Sequence, residues 1–252
     1  MNYNWNWLVF FDQAPGGETY LDTLLTGLAW TIGTAVLSWA LALTVGTAVG
    51  VARTTSLKWA RRIGTAYVEL FRNVPLLVQM FLWYFVIPEL VPSAIGDAIK
   101  NIAPPWGIFI PAVLCLGFYT SSRVAEQVRA GIESLPRGQQ MAATALGLKP
   151  SQVYRYILLP TSFRIILPPL TSELLNLIKN TSVAFTIGLF ELVGAARSMQ
   201  EFSFQVFETF AVATLFYLLL NLVVVYGMSW LERRLSVPGF SAAASVSPET
   251  AL

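Results

Sequence analysis

The chain has 252 residues, of which 55% are hydrophobic and 12% charged, with a mean hydropathy of +0.60. That charged share is about half the value of ordinary soluble domains, which excludes a soluble monomer, since such proteins rarely expose large apolar patches, and the aromatic content excludes a disordered chain. With no His and one Cys, Cys115, the sequence excludes Ser-His-Asp and Cys-His chemistry, His-ligated metals, an internal disulfide and a cysteine metal cluster; a formal charge of +2 leaves no footprint for nucleic acid. What remains is an all-α integral membrane protein.

Residues 1–23 hold no Lys or Arg. A secretory signal needs a positive region before its apolar core, so this stretch is expected to stay as a short periplasmic or interfacial segment. Its aromatics Trp5, Trp7, Phe10 and Phe11 suit the headgroup layer. A spanning helix needs roughly 17–25 mostly apolar residues. The first runs from Leu24 to Ala52 and is rich in small residues. Its Gly46-xxx-Gly50 pair has the spacing that lets two helices approach closely.

The second span covers about residues 67–90. Its apolar centre, Leu76 to Ile87, is short, so the helix either includes Glu69 and Arg72 or breaks near Pro75. The third runs from Trp106 to about Ser122. The recurrence of Val124, Val128, Ile132 and Leu135 extends it as an amphipathic helix to Pro136. The region from Ile165 to Ala196 is too long for one simple crossing. It contains Pro168-Pro169, Glu173 and the polar run Lys179-Asn180-Thr181-Ser182, and it crosses either once with a break or twice as a hairpin. The last span covers about residues 209–231 and stops at Glu232-Arg233-Arg234.

The basic residues choose between these. Arg53, Lys58, Arg61 and Arg62 follow the first span. Arg123, Arg129, Arg137, Lys149, Arg155 and Arg164 follow the third, and Arg233 and Arg234 follow the last. These are twelve of the 16 Lys and Arg. A single broken crossing puts all twelve on one side. The positive-inside rule therefore predicts about five transmembrane helices, N-terminus out and C-terminus in. Residues 1–23 are then outside, 24–231 form the membrane domain, and 232–252 form a cytoplasmic tail.

The long cytoplasmic connection, about residues 123–164, is not a plain linker. Gly138 to Leu146 reads as a short helix of small residues, Gly147 as its left-handed stop, and Pro150 as a block to continuation. A further segment ends at Leu159-Pro160. This stretch resembles the signature loop of binding-protein-dependent ABC transporter permeases, Glu-Ala-Ala-x3-Gly-x9-Ile-x-Leu-Pro. Ala142, Ala143, Gly147, Ile157, Leu159 and Pro160 match at every spacing, while Met141 stands where the motif has Glu. VELFRNVPLLVQ (68–79) and IKNTSVAFTIGLFEL (178–192) resemble the polar-amino-acid permeases of the histidine–glutamate group. The longer run ELFRNVPLLVQMFLWYFVIPELVP is most similar to its glutamate/aspartate permease subunits.

The resemblance implies the type I ABC importer architecture, an inner-membrane location and transport of amino acids, with glutamate and aspartate as substrates. It implies three partners: a cytoplasmic ABC ATPase dimer that binds ATP and Mg, a second and similar permease, and a periplasmic amino-acid-binding protein. It also implies that the short helix through Ala142–Gly147 sits in a groove of the ATPase. The chain itself has no G-x-x-x-x-G-K-[ST] phosphate loop, so no catalytic residue, cofactor or metal is assigned to it.

A charge at the bilayer centre costs roughly 2.5–3.5 kcal/mol on insertion scales, so Glu69, Arg72, Glu173 and Lys179 call for partners, a wet cavity or a place near the interface. Glu69 and Arg72, three apart, can pair on one helix face. The Asn180-Thr181-Ser182 break is a candidate gate, because broken helices are tolerated in the membrane where they face protein or water. A secondary transporter or channel needs no ATPase and usually shows internal repeats, which are not evident here; an intramembrane enzyme lacks any suitable acid–base set.

Overall fold

A computed structural model describes residues 3–235. Helices joined by short connections make up these residues, with one isolated antiparallel bridge between Gln13 and Thr19. Helix α1 is Tyr20–Thr54, α2 Lys58–Asn73, α3 Leu76–Leu90, α4 Ser93–Lys100, α5 Trp106–Glu133, α6 Arg137–Ala145, α7 Pro150–Ile187, α8 Leu192–Ser203 and α9 Val206–Leu235. Three of these, α1, α5 and α9, are long and apolar enough to cross a membrane. Counting α2 with α3, and α7 with α8, as two bent crossings makes five.

Helix α1 starts four residues before the apolar run because a capping box fixes its first turn. The Thr19 hydroxyl accepts from the Asp22 amide (3.2 Å), and the Asp22 carboxylate accepts from the Thr19 amide (3.3 Å). Farther along, α1 lies against α5 at backbone distance. A methyl added at Gly46 would fall 2.7 Å from the Val124 side chain, and one at Gly50 would fall 2.7 Å from that of Val128. Gly117 of α5 faces Leu41 in the same way. The order 41, 46, 50 against 117, 124, 128 makes the two helices parallel, so both run toward the end that carries α6. The expected small-residue contact is therefore the α1–α5 seam.

The second region breaks at Pro75, with α2 and α3 bent by 103°. Proline lacks an amide donor and disfavours helix in the residue before it; Val74 is accordingly extended. The bend leaves carbonyls of the last turn of α2 without helical partners. Gln79, buried, donates its amide to the Phe71 and Val74 carbonyls, both at 2.9 Å. Helix α3 carries a π turn at Leu82–Val86.

Helix α5 continues past Ser122 as expected, with Val124, Val128 and Ile132 buried. Helix α6 ends in a Schellman motif: Gly147 has φ +82°, its amide donates to the Thr144 carbonyl (3.0 Å), and the Leu148 amide donates to that of Ala143 (3.2 Å). Gly147 is thus the left-handed stop that the sequence predicts.

The expected end at Leu159-Pro160 is not an end. A π turn at Tyr154–Leu158 widens the helix just before Pro160, so that a residue without an amide donor is carried through. Pro168 and Pro169 also lie inside the helix. It runs to Asn180, tightens into a 3-10 stretch at Thr181–Ile187, and stops at the left-handed Gly188. The 52° bend into α8 is far from a reversal, so the two helices continue one another and do not fold back as a hairpin. At the opposite end from α6, Trp7–Phe11 form a 3-10 turn that buries Val9 and Phe10 against Tyr20, Leu24 and Leu192, while Trp5, Trp7 and Phe11 stay exposed.

The seam sets a test. Gly46→Val and Gly50→Val should each destabilise the protein by about 1–3 kcal/mol, the usual cost of overpacking. Gly33→Ala, where nothing lies within 4 Å, should not. Thermal unfolding in detergent, followed by exposure of the buried Cys115, reports all three.

Candidate functional site

The chemistry-bearing residues fall into two groups. The first is the segment from Arg137 to Pro160. Within it Ala143 is buried, and Ile157 and Leu159 are half-buried in the same apolar cluster with Val128, Ile132 and Val153. These residues hold the segment to α5 and α7. Met141, Ala142, Gly147 and Pro160 face out. Met141 is 70% exposed and Leu146 82%, so the short helix offers bare apolar side chains on its outer surface. The signature residues therefore split between anchoring the helix and presenting it.

The second group is ionic. Glu69 and Arg72 do not pair. Arg72 instead reaches Glu126 on α5 at 3.3 Å, and Arg53 and Arg129 reach the same carboxylate at 2.8 and 3.0 Å. Glu126 thus joins α1, α2 and α5. Glu69 is exposed and makes no ion pair among the described residues. Glu173, half-buried on α7, has Arg123 at 3.9 Å, a loose contact. Its neighbour Thr171 donates to Glu232 of α9 at 3.0 Å. Lys179 is exposed, Asn180 and Ser182 are half-buried, and Thr181 is buried. The Thr181 and Ser182 hydroxyls donate to the carbonyls of Ile178 and Lys179, both at 2.7 Å. The polar run thereby satisfies the backbone where the helix tightens. It is not brought together with Glu69.

Sequence reasoning missed two residues. Glu126 carries a visible signal only toward Arg129, three residues on; Arg53 and Arg72 are too distant in sequence to be matched. Glu191 is fully buried and makes no ion pair among the described residues. Its carboxylate accepts from the amides of Val193 and Gly194 and from the Tyr217 hydroxyl, all at 3.0 Å. Thr31 accepts from the Leu192 amide at 3.1 Å. Glu191 caps α8 and ties the broken crossing to α1 and α9. A lone acid shortly after Gly188 and at the start of an apolar helix was the available cue. Among the described residues no group of three His, Cys, Asp or Glu could hold a metal. The charges can hold helices together and receive a charged solute.

Three helices long and apolar enough to cross a membrane, two bent pairs, and a docked, outward-facing helix in the long connection define an integral membrane protein. The chain belongs to the family of binding-protein-dependent transport system inner membrane components, whose model matches residues 42–237. It is 46% identical over 241 residues to the glutamate/aspartate import permease protein GltJ of Escherichia coli K12, covering 95% of this chain and 98% of that one. It is 35% identical over 216 residues to the probable glutamine ABC transporter permease protein GlnM of Bacillus subtilis, covering 86% and 93%. A crystal structure of an amino acid ABC transporter with histidines shares the fold, with a TM-score of 0.71 and 27% identity over 85% of this chain and 95% of that one. The chain is accordingly an inner-membrane ABC importer permease subunit.

The ionic node yields a direct comparison. Glu126→Ala strands the mostly buried Arg53 without this counter-charge and should cost about 3–5 kcal/mol. Glu69→Ala should stay within about 0.5 kcal/mol, as for other exposed sites. Urea titration of the purified subunit distinguishes the two.

Proposed function

We propose that this chain, paired with a second and similar permease, imports acidic amino acids, glutamate and aspartate, with its α6 end in the cytoplasm. A separate ATPase dimer that binds ATP and Mg docks on residues 137–160, and a periplasmic amino-acid-binding protein delivers solute at the opposite end. On this reading the chain hydrolyses nothing itself and holds no cofactor or metal. The domain plan is 1–23 outside, 24–231 as the permease domain with the coupling loop at about 123–164, and 232–252 inside; residues 236–252 lie outside the described ones.

The observation that carries this reading is the segment from Arg137 to Pro160. It is anchored by Ala143, Ile157 and Leu159 and capped by Gly147, and it presents Met141 and Leu146 to a partner that its own bundle does not supply. Met141 brings an apolar contact rather than a charge to the position where the signature has Glu. The acidic substrate is supported by the resemblance to GltJ. The partly exposed guanidiniums of Arg72 and Arg123 add a chemical reason, since guanidinium binds carboxylate well. Arg72, Glu173, Lys179 and the break at Asn180, Thr181 and Ser182 are the candidates for the path and its gate, with Glu69 at its exposed margin. An ATP-independent carrier has no use for an exposed helix of this kind.

Three measurements test the reading. Reconstituted with its ATPase, second permease and binding protein, the transporter should import glutamate or aspartate in preference to lysine or arginine; the reverse preference removes the acidic assignment alone. In a Cys115→Ser background, a cysteine at Ser151 should label only from inside and one at Ser93 only from outside; the opposite pattern inverts the bundle. Finally, nothing lies within 4 Å of Gly147, so Gly147→Val acts through its disfavoured left-handed backbone rather than a clash. It should keep normal membrane abundance yet lower ATP-driven uptake by about tenfold or more, with Gly147→Ala milder. Full uptake by Gly147→Val would remove the coupling role.

A further inference from the structure

Helix α2 is unlike the other long helices. Its residues divide into three faces. Ala60, Gly64, Tyr67, Val68 and Phe71 turn toward the bundle, where they are buried or half-buried. Gly64 lies over Arg53 and Val49 of α1, the Tyr67 hydroxyl pairs with Ser121 of α5, and Phe71 meets Phe118. Trp59, Ile63, Ala66 and Leu70, spaced at four, three and four residues, form a second stripe that is exposed along its length. Trp59, Ile63 and Leu70 are 65%, 64% and 61% exposed. Lys58, Arg61, Arg62, Thr65, Glu69 and Arg72 make up the third face, which is polar and mostly cationic.

The orientation of α2 follows from its neighbours. Helix α3 runs back along α5: Trp83 stacks on Phe118 (5.2 Å between centroids), and Pro88 shares a groove with Ile108 and Pro111. A helix at 103° to α3 therefore lies crosswise to α5. Its contacts agree, since Tyr67, Phe71 and Arg72 meet α5 at Ser121, Phe118 and Glu126. That is where the apolar part of α5 gives way to charge. A crosswise helix at this depth with one bundle face, one bare apolar face and one cationic face has the pattern of a helix lying in the membrane–water boundary.

We propose that α2 is an interfacial helix seated on the anionic phospholipids of the inner leaflet. Trp59, Ile63, Ala66 and Leu70 enter the acyl boundary, and Lys58, Arg61 and Arg62 bind headgroup phosphates. Charge complementarity identifies the occupant: three cations with no carboxylate among residues 58–68 flank the apolar stripe, as a negatively charged leaflet requires. The part of the second crossing that runs along α5 is then α3, and α2 is its approach along the surface. The choice of leaflet rests on the cytoplasmic placement of the α6 end.

The experiment uses the complete transporter in phosphatidylcholine vesicles with and without phosphatidylglycerol. Spin labels are placed singly on cysteines at Ile63, Ala66, Leu70, Thr65 and Glu69 in the Cys115→Ser background. With phosphatidylglycerol present, labels at 63, 66 and 70 should be relaxed by oxygen, and those at 65 and 69 by a water-soluble nickel chelate. Labels at 63, 66 and 70 shielded from both reagents would mean that a partner subunit covers the stripe, and would overturn the proposal. The second measurement is the phosphatidylglycerol retained on the purified complex, read by mass spectrometry. Lys58→Gln/Arg61→Gln/Arg62→Gln should lower it by about tenfold or more, each charge near an anionic surface being worth roughly fivefold; unchanged retention would equally overturn it. The labelled variants keep all three cations, so the test survives if the triple variant inserts poorly. Labelling at Ser151 reports orientation separately, so an inverted bundle and a covered α2 give different results.

Discussion

A hydrocarbon layer offers no partner to a bare amide or carbonyl, and the rest of this structure follows from how that demand is met where the helices fail. There are two failures inside the bundle, at Pro75 and at Thr181–Phe190. Each has a buried polar side chain assigned to it. Gln79 donates to the two carbonyls that the first bend releases. Glu191 accepts the amides that begin α8 after the second. One is a donor at a helix C-terminus and the other an acceptor at a helix N-terminus, as the polarity of the orphan groups requires. Without them the bends would leave unsatisfied groups costing several kcal/mol each.

The same logic sorts the charges. Arg53, Arg72 and Arg129 converge on Glu126 beyond the apolar part of α5, so the node that fastens α1, α2 and α5 sits where water still screens it. Glu191 is the exception: among the described residues it has no ion pair, and hydrogen bonds hold it. Between node and cap, the helices hold by shape. The glycines of α1 admit Val124 and Val128 of α5, a contact that lipid cannot replace because it depends on backbone proximity rather than on hydrophobicity.

Much of this was legible in the sequence, for identifiable reasons. Helices α1, α5 and α9 are long uninterrupted apolar runs. The Gly147 stop, the amphipathic extension through Val128 and Ile132, and the Gly46–Gly50 seam are local patterns whose physics operates within a few residues. The single broken crossing came from the distribution of Arg and Lys, a global cue. What was not legible depended on distance in the chain. Glu69 suited Arg72 by spacing, yet Arg72 turns to Glu126, which three cations share. The Leu159-Pro160 boundary failed because a π turn one residue upstream absorbs the missing donor, and single-residue proline rules do not foresee that. Glu191 was hidden because its partners, Thr31 and Tyr217, lie on helices far away in sequence.

The continuity of α5 has a mechanical meaning. Its 28 residues from Trp106 to Glu133 form one rod of about 42 Å at 1.5 Å per residue. One end carries the cluster that anchors α6, and the other packs on Trp30 beneath the opposite surface. A rod of that length converts a tilt of about 5° at one end into a displacement of roughly 3–4 Å at the other. A tilt at the α6 end therefore corresponds to a lateral shift across the bundle about as wide as a side chain. Pro111 lies near the far end of the lever arm, so most of its length stays stiff.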